Sequence, residues 1–313
     1  NYINLQHKLI IKYPKHINFI GFSLWKMNFI KKFFPGTKIN FHNEIDHNLL
    51  NSKENIAVWG TKFYDEIPRE RNLLIIEDGF LRSKGLGAHL VPPISLAIDK
   101  VGIYFDASRP SEIENFFNNH IFNTEEIDRA SALRDKIVRH SLSKYNVEKG
   151  EWNRPINIDK TILVIGQVES DASIKYGSPN LKSNYDLLKR VRTENPNAYI
   201  LYKPHPDVIA KTREQGLKDN RNKHYCDEII GNVDNESLFS QIDELHTMTS
   251  LIGFEALLRG TKVICHGIPF YAGWGLTSDR VVCSRRRKKL SIEELTYGAL
   301  IAYPIYVHPK KNA

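Results

Sequence analysis

The chain has 313 residues, a length that predicts two domains of ordinary size. Its 41% hydrophobic and 26% charged residues are typical of a folded globular protein, and no apolar window reaches the ~18 residues of a membrane helix. The net charge of +8, from 44 Lys and Arg against 36 Asp and Glu, favours anionic partners such as nucleotides, acidic sugars, anionic lipid or nucleic acid. Charge alone does not choose among them.

The three cysteines, Cys226, Cys265 and Cys283, are widely spaced and form no CxxC pair. This pattern argues against a disulfide framework and a zinc site, and it favours a reducing, cytoplasmic compartment. No signal peptide is visible at the start of the sequence. Because the sequence begins at Asn1 and not at methionine, we expect it to be a fragment of a longer protein.

Short apolar runs alternate with polar stretches of helical spacing in both halves of the chain, a pattern typical of βαβ units and a mostly parallel sheet. In the first half, strands are predicted at 17–22, 38–41, 56–59, 73–76 and 102–105. In the second half, strands are predicted at 161–165, 199–202 and 263–265, with helices at 184–193 and 252–258. The predicted fold class is therefore α/β.

A mainly polar connection at 145–159 follows a stretch of helical spacing at 127–143. We therefore predict a domain boundary near residue 150, with one domain at 1–150 and the other at 151–313. Trp152 would pin the connection to one of the domains. Ligands of open α/β sheets lie beyond the carboxyl ends of the strands, so the loops that follow strands are the candidate sites, facing a cleft between the sheets.

The first candidate loop begins with Glu77 and Asp78 and runs through a glycine-rich turn at 79–87 that contains Arg82. Carboxylates at a strand end are candidate acid and base groups for catalysis. The glycines would allow a positive φ and the close approach of a ligand. The alternative is a solvated turn with a surface ion pair.

The second candidate loop carries Glu169 and Asp171 just beyond the strand at 161–165. Paired carboxylates across a cleft are typical of glycosyl transfer, in which one acts as acid or base and another as nucleophile or charge stabiliser. The alternative is that Asp171 caps the next helix, with Ser170 or Ser173 as competing caps.

The third candidate loop is the segment Lys-Pro-His-Pro at 203–206. Its two prolines cannot donate to a sheet ladder, so the strand must end near Lys203 and present His205 from an extended loop. Lys203 and His205 would bind phosphate or carboxylate oxygens. A purely structural histidine is the alternative.

The fourth candidate loop places Thr247, Thr249 and Ser250 before an apolar helix that contains Glu255. Hydroxyls and backbone N–H groups at a helix start favour an anion, which predicts a phosphate site with Glu255 placed to bind ribose hydroxyls. The alternatives are ordinary N-capping by one hydroxyl and a plain helix charge at Glu255.

Five segments combine these loops in order: EDGFLRSKGLGA at 77–88, GQVESDASI at 166–174, KPHPDV at 203–208, HTMTSLIGFEALLRG at 246–260 and PFYAGWGLTSD at 269–279. With these segments the chain resembles the retaining β-Kdo glycosyltransferases of bacterial capsule polysaccharide synthesis, which use CMP-Kdo, and the resemblance runs over most of the chain. The chain is similar to one module of the capsule transferase that carries two modules in tandem.

The resemblance implies a GT-B architecture of two Rossmann-like domains with parallel sheets facing a cleft. Residues 1–150 would be the acceptor side and residues 151–313 the CMP-Kdo donor side. By motif match, the residues that bind the sugar nucleotide would be Lys203, His205, Pro206, Thr249, Ser250 and Glu255.

The resemblance also implies retention by double displacement. Asp171 is the expected nucleophile, and Asp78 or its neighbour Glu77 is the expected base for the acceptor hydroxyl, with Glu169 in reserve. His205 would help CMP to leave. No DxD-like metal clamp stands at a predicted strand end, so no essential metal and no cofactor besides the CMP-Kdo donor are expected.

The implied acceptor is a Kdo oligosaccharide on a lyso-phospholipid, and the implied location is cytoplasmic, peripheral at the inner face of the cytoplasmic membrane. The basic run at 285–289 would meet anionic lipid or a second transferase module, or it is a solvated charge run. Trp274 would line the cleft or pack in the core.

The alternative function is a non-catalytic module of a tandem capsule protein that binds a sugar nucleotide or lipid. Intact carboxylates in both acidic loops argue against it. Nucleic acid is not an expected partner, because the chain has neither a recognition-helix motif nor an aromatic ribonucleoprotein signature.

Overall fold

The computed structural model describes residues 13–63, 65–68, 72–83, 90–144, 150–206, 221–231 and 233–307. In these ranges the strands, in chain order, are β1 (His16–Ile20), β2 (Lys38–His42), β3 (Ile56–Trp59), β4 (Leu73–Asp78), β5 (Ser95–Asp99), β6 (Thr161–Ile165), β7 (Tyr199–Lys203), β8 (Glu228–Ile229), β9 (Glu244–Thr247), β10 (Lys262–Cys265), β11 (Ser278–Asp279) and β12 (Ile305–Tyr306). The α-helices are α1 (Leu24–Ile30), α2 (His47–Asn51), α3 (Glu112–Asn119), α4 (Thr124–Arg139), α5 (Ala172–Gly177), α6 (Asn184–Glu194), α7 (Asn235–Phe239), α8 (Leu251–Leu258) and α9 (Ile292–Tyr297). None of these helices is long and apolar enough to cross a membrane.

The chain divides into two compact units, each built from separate stretches of sequence. The first unit takes its described residues from Asn1–Ile103, Lys144–Val147 and Ala299–Ala313, and the second from Tyr104–Ser143 and Glu148–Gly298. This division differs from the predicted boundary near residue 150. Helices α3 and α4 pack within the second unit, and β12 returns to the sheet of the first.

The sheet of the first unit has the strand order β12-β5-β4-β3-β1-β2. Strands β1 to β4 are parallel, whereas β5 is antiparallel to β4 and β12 is antiparallel to β5. Its core is rich in aromatic rings: Phe19 of β1 packs edge-on against Phe22 and Phe34, with ring centroids 5.0 and 5.2 Å away. Phe29 and Ile30 of α1 belong to the same buried cluster, and the edge-to-face pairs add to this apolar burial.

The strand predicted at 102–105 is wrong, and the fifth strand lies earlier in the chain, at β5. Asp99 ends β5 because its Oδ1 accepts the backbone N–H groups of Val101 at 2.8 Å and Gly102 at 2.9 Å, which turns the chain. The Tyr303 hydroxyl donates to Asp99 Oδ2 at 2.9 Å, so the buried Asp99 side chain is fixed at both of its carboxylate oxygens.

The sheet of the second unit has the order β11-β10-β9-β6-β7-β8, and all of its strand pairs are parallel. The elements predicted here from periodicity are confirmed to within a few residues. The helical stretch predicted at 127–143 is α4, which begins three residues before the predicted start, after a capping box between Asn123 and Glu126. Trp152 is buried and donates Nε1–H to Glu228 Oε2 at 3.0 Å, which pins the connection to the second unit.

Each sheet has one point at which the direction of strand addition reverses. In the first sheet this switch point lies between β1 and β3, and in the second it lies between β6 and β9. Ligands of open α/β sheets bind beyond the carboxyl ends of the strands at such points. A ligand of either unit is therefore expected to bind beyond the strand ends at its switch point.

Candidate functional site

The first unit places Glu77 and Asp78 at the carboxyl end of β4, as the sequence predicts. Gly60 follows β3, next to the switch point, and has a φ of +58°. A Cβ at Gly60 would lie 3.3 Å from Glu77 Oε2, so a side chain there would crowd the carboxylate. The glycine supplies both the left-handed backbone and the room for Glu77.

Two further residues of this strand edge, Lys26 and Trp59, were missed in the sequence. The Lys26 Nζ lies 3.7 Å from the centroid of the Trp59 ring, a cation–π contact. Burial lowers the pKa of Lys26, while the charges of Glu77 and Asp78 act in the opposite direction. Only the fold brings these residues together, because they come from α1, β3 and β4.

The two neighbouring carboxylates have different surroundings. Asp78 Oδ2 accepts a hydrogen bond from Arg82 Nε at 2.6 Å, and the Arg82 side chain is buried, so this is not the solvated ion pair of the alternative interpretation. Glu77 Oε1 accepts the Asp78 backbone N–H at 2.9 Å. Burial, followed by the charge of Asp78, raises the pKa of Glu77 to about 7. Glu77 therefore exchanges its proton near neutral pH, as a general base must.

Gly79 has a different role from the predicted one. Its φ is not positive, and a Cβ at Gly79 would overlap the Ser95 side chain, so the glycine allows β4 and β5 to pack closely. Residues 84–89, which include the other two glycines of the turn, lie outside the described residues.

At the switch point of the second sheet, Gln167 links the loop after β6 to the loop after β9. The sequence interpretation did not identify this residue. Gln167 Nε2 donates to Thr249 Oγ1 at 2.9 Å, and Gln167 Oε1 accepts the Thr249 backbone N–H at 2.8 Å. Thr247 Oγ1 donates to the same Oε1 at 3.3 Å. Gln167 stands in the GQVESDASI segment directly after β6, but a neutral amide did not suggest chemistry.

The predicted hydroxyl groups lie together beside Gln167. Thr249 Oγ1 lies 3.3 Å from Ser173 Oγ in the first turn of α5. Ser250 is the N-cap of α8, since its Oγ accepts the Ile252 N–H at 3.2 Å, and the Ser250 N–H donates to Thr247 Oγ1 at 3.1 Å. The capping alternative is thus correct for Ser250, and the remaining hydroxyls form a polar edge at two helix starts.

The two carboxylates of the second loop each hold a helix start. Asp171 is the N-cap of α5, and its Oδ1 accepts the Ser173 N–H at 2.8 Å. Glu169 Oε1 accepts the N–H of Asn184, the first residue of α6, at 2.7 Å. Both side chains belong to exposed residues, so the capping role of Asp171 coexists with access from solvent.

Lys203 ends β7, as the prolines predict, but its ammonium group points inward. Lys203 is 3% exposed, and its Nζ donates to the Val233 carbonyl at 2.6 Å and to Asn235 Oδ1 at 2.7 Å. Asn235 Nδ2 in turn donates to Glu255 Oε2 at 3.1 Å. Lys203, Asn235 and Glu255 therefore form a buried chain that ties β7 to α7 and α8.

His205 and Pro206 follow this chain, with His205 half-buried and Pro206 exposed. The rest of the KPHPDV segment, Asp207 and Val208, lies outside the described residues. His205 is thus presented beyond the carboxyl end of β7, at the same sheet edge as the loops after β6 and β9.

The basic run at 285–289 is not a plain solvated run, because its first two residues are structural. Arg285 Nε lies 2.6 Å from Glu114 Oε1, and Arg286 Nε lies 3.1 Å from Glu114 Oε2. The Arg286 guanidinium lies 5.6 Å from the ring centroid of Trp274, which is fully buried and donates to the Phe270 carbonyl. The core alternative for Trp274 is therefore correct.

The fold and both sites define the class of the molecule. Two Rossmann-like units, each with polar side chains gathered at its switch point, form the α/β architecture of GT-B glycosyltransferases. Within the described residues, no group of three or more His, Cys, Asp or Glu side chains is arranged to hold a metal ion.

The chain belongs to a family described as capsule polysaccharide biosynthesis protein, whose model matches residues 54–308. It is 44% identical over 306 residues to the capsule polysaccharide modification protein LipA of Neisseria meningitidis, covering 94% of this chain and 43% of LipA. It is 44% identical over 236 residues to the lipopolysaccharide-processing protein LpsZ of Rhizobium meliloti, covering 74% of this chain and 53% of LpsZ. The chain thus spans about half the length of these relatives or less.

Two solved structures of Thermosulfurimonas dismutans KpsC are similar over nearly the whole chain. The structure titled beta Kdo 2,7 transferase superposes with a TM-score of 0.80 at 40% identity, covering 94% of this chain and 93% of that one. The structure titled beta Kdo 2,4 transferase gives a TM-score of 0.78 at 32% identity, covering 96% and 94%. The fold and family expected from the sequence are confirmed.

Proposed function

We propose that the chain is a retaining glycosyltransferase that moves β-Kdo from CMP-Kdo to a Kdo-terminated, lipid-linked capsule linker. The observation that carries this proposal is the likeness to the two KpsC transferase structures, which extends over nearly all of both chains. Membership of a capsule biosynthesis family and the GT-B class support the coarser statement, a glycosyltransferase of capsule synthesis.

We assign CMP-Kdo to the second unit. The donor phosphate would lie against the hydroxyl edge of Thr249 and Ser250, at the starts of two helices, with His205 and Pro206 at the neighbouring strand end. Glu255 and Lys203 would act on the donor mainly by holding the loops in place, since both contact Asn235 in the interior. The first unit would bind the acceptor.

We propose double displacement for the chemistry. The Asp171 carboxylate would attack the anomeric carbon as the bond to the CMP phosphate breaks, and His205 would stabilise the leaving phosphate. Glu77, or Asp78, would then take the proton of the acceptor hydroxyl while its oxygen displaces Asp171. Two inversions retain the β configuration. Glu169 is the reserve nucleophile.

The proposal is tested with purified protein, CMP-Kdo and a synthetic Kdo-terminated acceptor. Mass spectrometry should show the addition of one Kdo, and NMR should show a β linkage. Without acceptor, a Kdo adduct should appear on the peptide that spans residues 166–174. Binding of CMP-Kdo with no transfer to any Kdo acceptor would instead support the non-catalytic binding module.

We favour the 2,7 linkage for the product, because identity to the 2,7 transferase is 40% and identity to the 2,4 transferase is 32%. The same NMR spectrum assigns the linkage. A product linked 2,4 would contradict this choice and leave the transferase proposal intact.

We further propose that transfer needs no divalent metal, since the developing phosphate charge would be met by helix starts and His205. Transfer should continue at an unchanged rate in excess EDTA. A loss in EDTA that Mg²⁺ restores would overturn this proposal.

We also propose that the protein acts in the cytoplasm, peripheral at the inner face of the membrane where its lyso-phospholipid acceptor would lie, and that a second transferase module is its partner. Flotation with vesicles that carry the lipid acceptor should recover the protein. Recovery equal to that with acceptor-free neutral vesicles would count against a peripheral site of action.

A further inference from the structure

A groove of about 620 Å³ lies within the second unit and shares no lining residue with the strand-end site. One wall is helix α3 and the other is the segment 285–288. The residues that set its chemistry are Asn115, Asn118, Asn119, Arg285, Arg287 and Lys288. A volume of this size is typical of small-ligand sites.

The two walls are held together by hydrogen bonds. Asn118 Nδ2 donates to the Arg285 carbonyl at 2.9 Å, and Asn118 Oδ1 accepts the Arg287 N–H at 3.2 Å. Lys288 Nζ donates to the His120 carbonyl at 2.8 Å, just beyond the end of α3. The groove is therefore formed before any ligand binds, which lowers the entropic cost of binding.

The groove carries an excess of positive charge. Glu114 is 4% exposed and is neutralised by two arginines, Arg285 and Arg286. Arg287 is exposed and makes no ion pair with any residue that the structure describes. Lys288 Nζ gives one N–H to the His120 carbonyl and is only loosely paired with Glu294, at 3.9 Å, so its other N–H groups can donate to an anion.

The helix wall offers amides in place of further charges. Asn115, Asn118 and Asn119 are spaced i, i+3 and i+4, so they share one face of α3, although asparagine is a poor helix former. Amides donate to and accept from sugar hydroxyls, whereas guanidinium groups bind carboxylates in a fork. A concave wall of this kind suits a saccharide. A protein binds the flat surface of a membrane with basic and apolar side chains that protrude from its own surface, and a groove lacks that shape.

We propose that this groove is a second binding site, which holds a carboxylate-bearing oligosaccharide through Arg287 and Lys288 and its hydroxyls through Asn115 and Asn119. The identity of the saccharide rests on the proposed function: it would be the acidic Kdo chain that the enzyme extends. Holding the chain away from the reacting end would favour longer acceptors over shorter ones by raising the local acceptor concentration.

The test is calorimetric binding of a Kdo trisaccharide to the whole chain, with neutral maltotriose as the second probe. Arg287→Glu should weaken trisaccharide binding about tenfold or more, which corresponds to ~1.4 kcal/mol. Asn115→Asp should weaken it in the same direction, because it places a carboxylate on the amide face. Both positions are exposed, and CMP binding and thermal melting serve as folding controls.

The matched control is Lys289→Glu, an identical charge change two residues away at an exposed position that does not line the groove. Its effect should stay below about twofold, since exposed charges beyond contact distance are screened. Equal losses from Arg287→Glu and Lys289→Glu, or binding to anionic phospholipid vesicles without binding to the trisaccharide, would overturn the proposal.

Failure of the groove and failure of the proposed function give different results. If transfer to a Kdo monosaccharide acceptor occurs while Arg287→Glu binds the trisaccharide like the wild type, the groove proposal is wrong and the transferase stands. If the trisaccharide binds through Arg287 and no transfer is seen, the groove stands and the transferase does not.

Discussion

Gln167 and Thr249 lie 82 positions apart in the chain and are joined by two hydrogen bonds at 2.9 and 2.8 Å. The donor of one bond and the acceptor of the other belong to a single side-chain amide. The loops after β6 and β9 are thus fixed to each other at the switch point of the second sheet, where the donor phosphate is proposed to bind.

Gln167→Ala should therefore lower CMP affinity about tenfold and reduce the free energy of unfolding by ~1–3 kcal/mol, because buried partners of Gln167 lose their bonds. Calorimetry and urea unfolding measure the two effects. Thr249→Ser is the matched control, since it keeps both the backbone N–H and the hydroxyl, and its CMP affinity should remain near that of the wild type. If the CMP affinity of Gln167→Ala were unchanged, Gln167 would not contribute to the CMP site.

Lys203→Met should destabilise the second unit by ~3–5 kcal/mol, because it leaves the Val233 carbonyl and the Asn235–Glu255 pair without their buried cation. Urea unfolding measures the loss. Adding Glu255→Gln should recover part of it, since the buried carboxylate is then neutral. Loss of CMP binding with unchanged stability would show that Lys203 acts directly on the donor.

Glu77 should make the stability of the first unit depend on pH. Its pKa is raised from 4.5 to about 7, so the folded chain binds more protons than the unfolded chain between these values, and stability falls as the pH rises through this window. Glu77→Gln should remove the slope and be more stable than the wild type at pH 8 by ~1–3 kcal/mol. Urea unfolding at pH 5 and pH 8 measures both.

The exposed Glu66 of the same unit provides the control, and Glu66→Gln should leave the pH slope unchanged. If Glu77 is the base, the transfer rate of the wild type should also rise with pH through about 7. A rate that is flat across that interval would assign the base elsewhere.

Asp171 has two roles that a pair of variants separates. Asp171→Asn keeps an N-cap side chain that accepts the Ser173 N–H but removes the carboxylate, so stability should be unchanged while transfer falls by about 10³-fold or more. Asp171→Ala should lose transfer and also ~1 kcal/mol of stability. These effects are measured by transfer assays and thermal melting. Full transfer by Asp171→Asn would show that the residue is a cap alone.

Periodicity predicted most of the second unit because its parallel strands are short apolar runs and its helices begin at recognisable caps. It failed at 102–105, where Ile103 is buried outside any strand and the chain turns on Asp99. It also missed β12, because two residues at an edge carry no periodicity of their own.

The strand-end loops were predictable from the sequence because unusual side chains cluster directly after apolar runs. The partners of those side chains were not. Lys26 contacts Trp59, and Lys203 contacts Asn235, only because of the order of strands in each sheet. A motif therefore predicts which residue types are present, whereas the fold decides which partners their side chains contact. Gln167 escaped notice because amides have no distinctive spacing.

The return of β12 to the edge of β5 has a consequence for biosynthesis and for laboratory truncation. A ribosome has to deliver residue 305 before the outer rim of the N-terminal sheet is covered, so β5 stays open to pairing with other nascent chains for most of translation. A truncated protein that ends near residue 150 would likewise lack β12, and its exposed β5 edge would make it prone to aggregate. To stay monomeric, an isolated first unit would need the segment from residue 299 onward fused to the chain after β5.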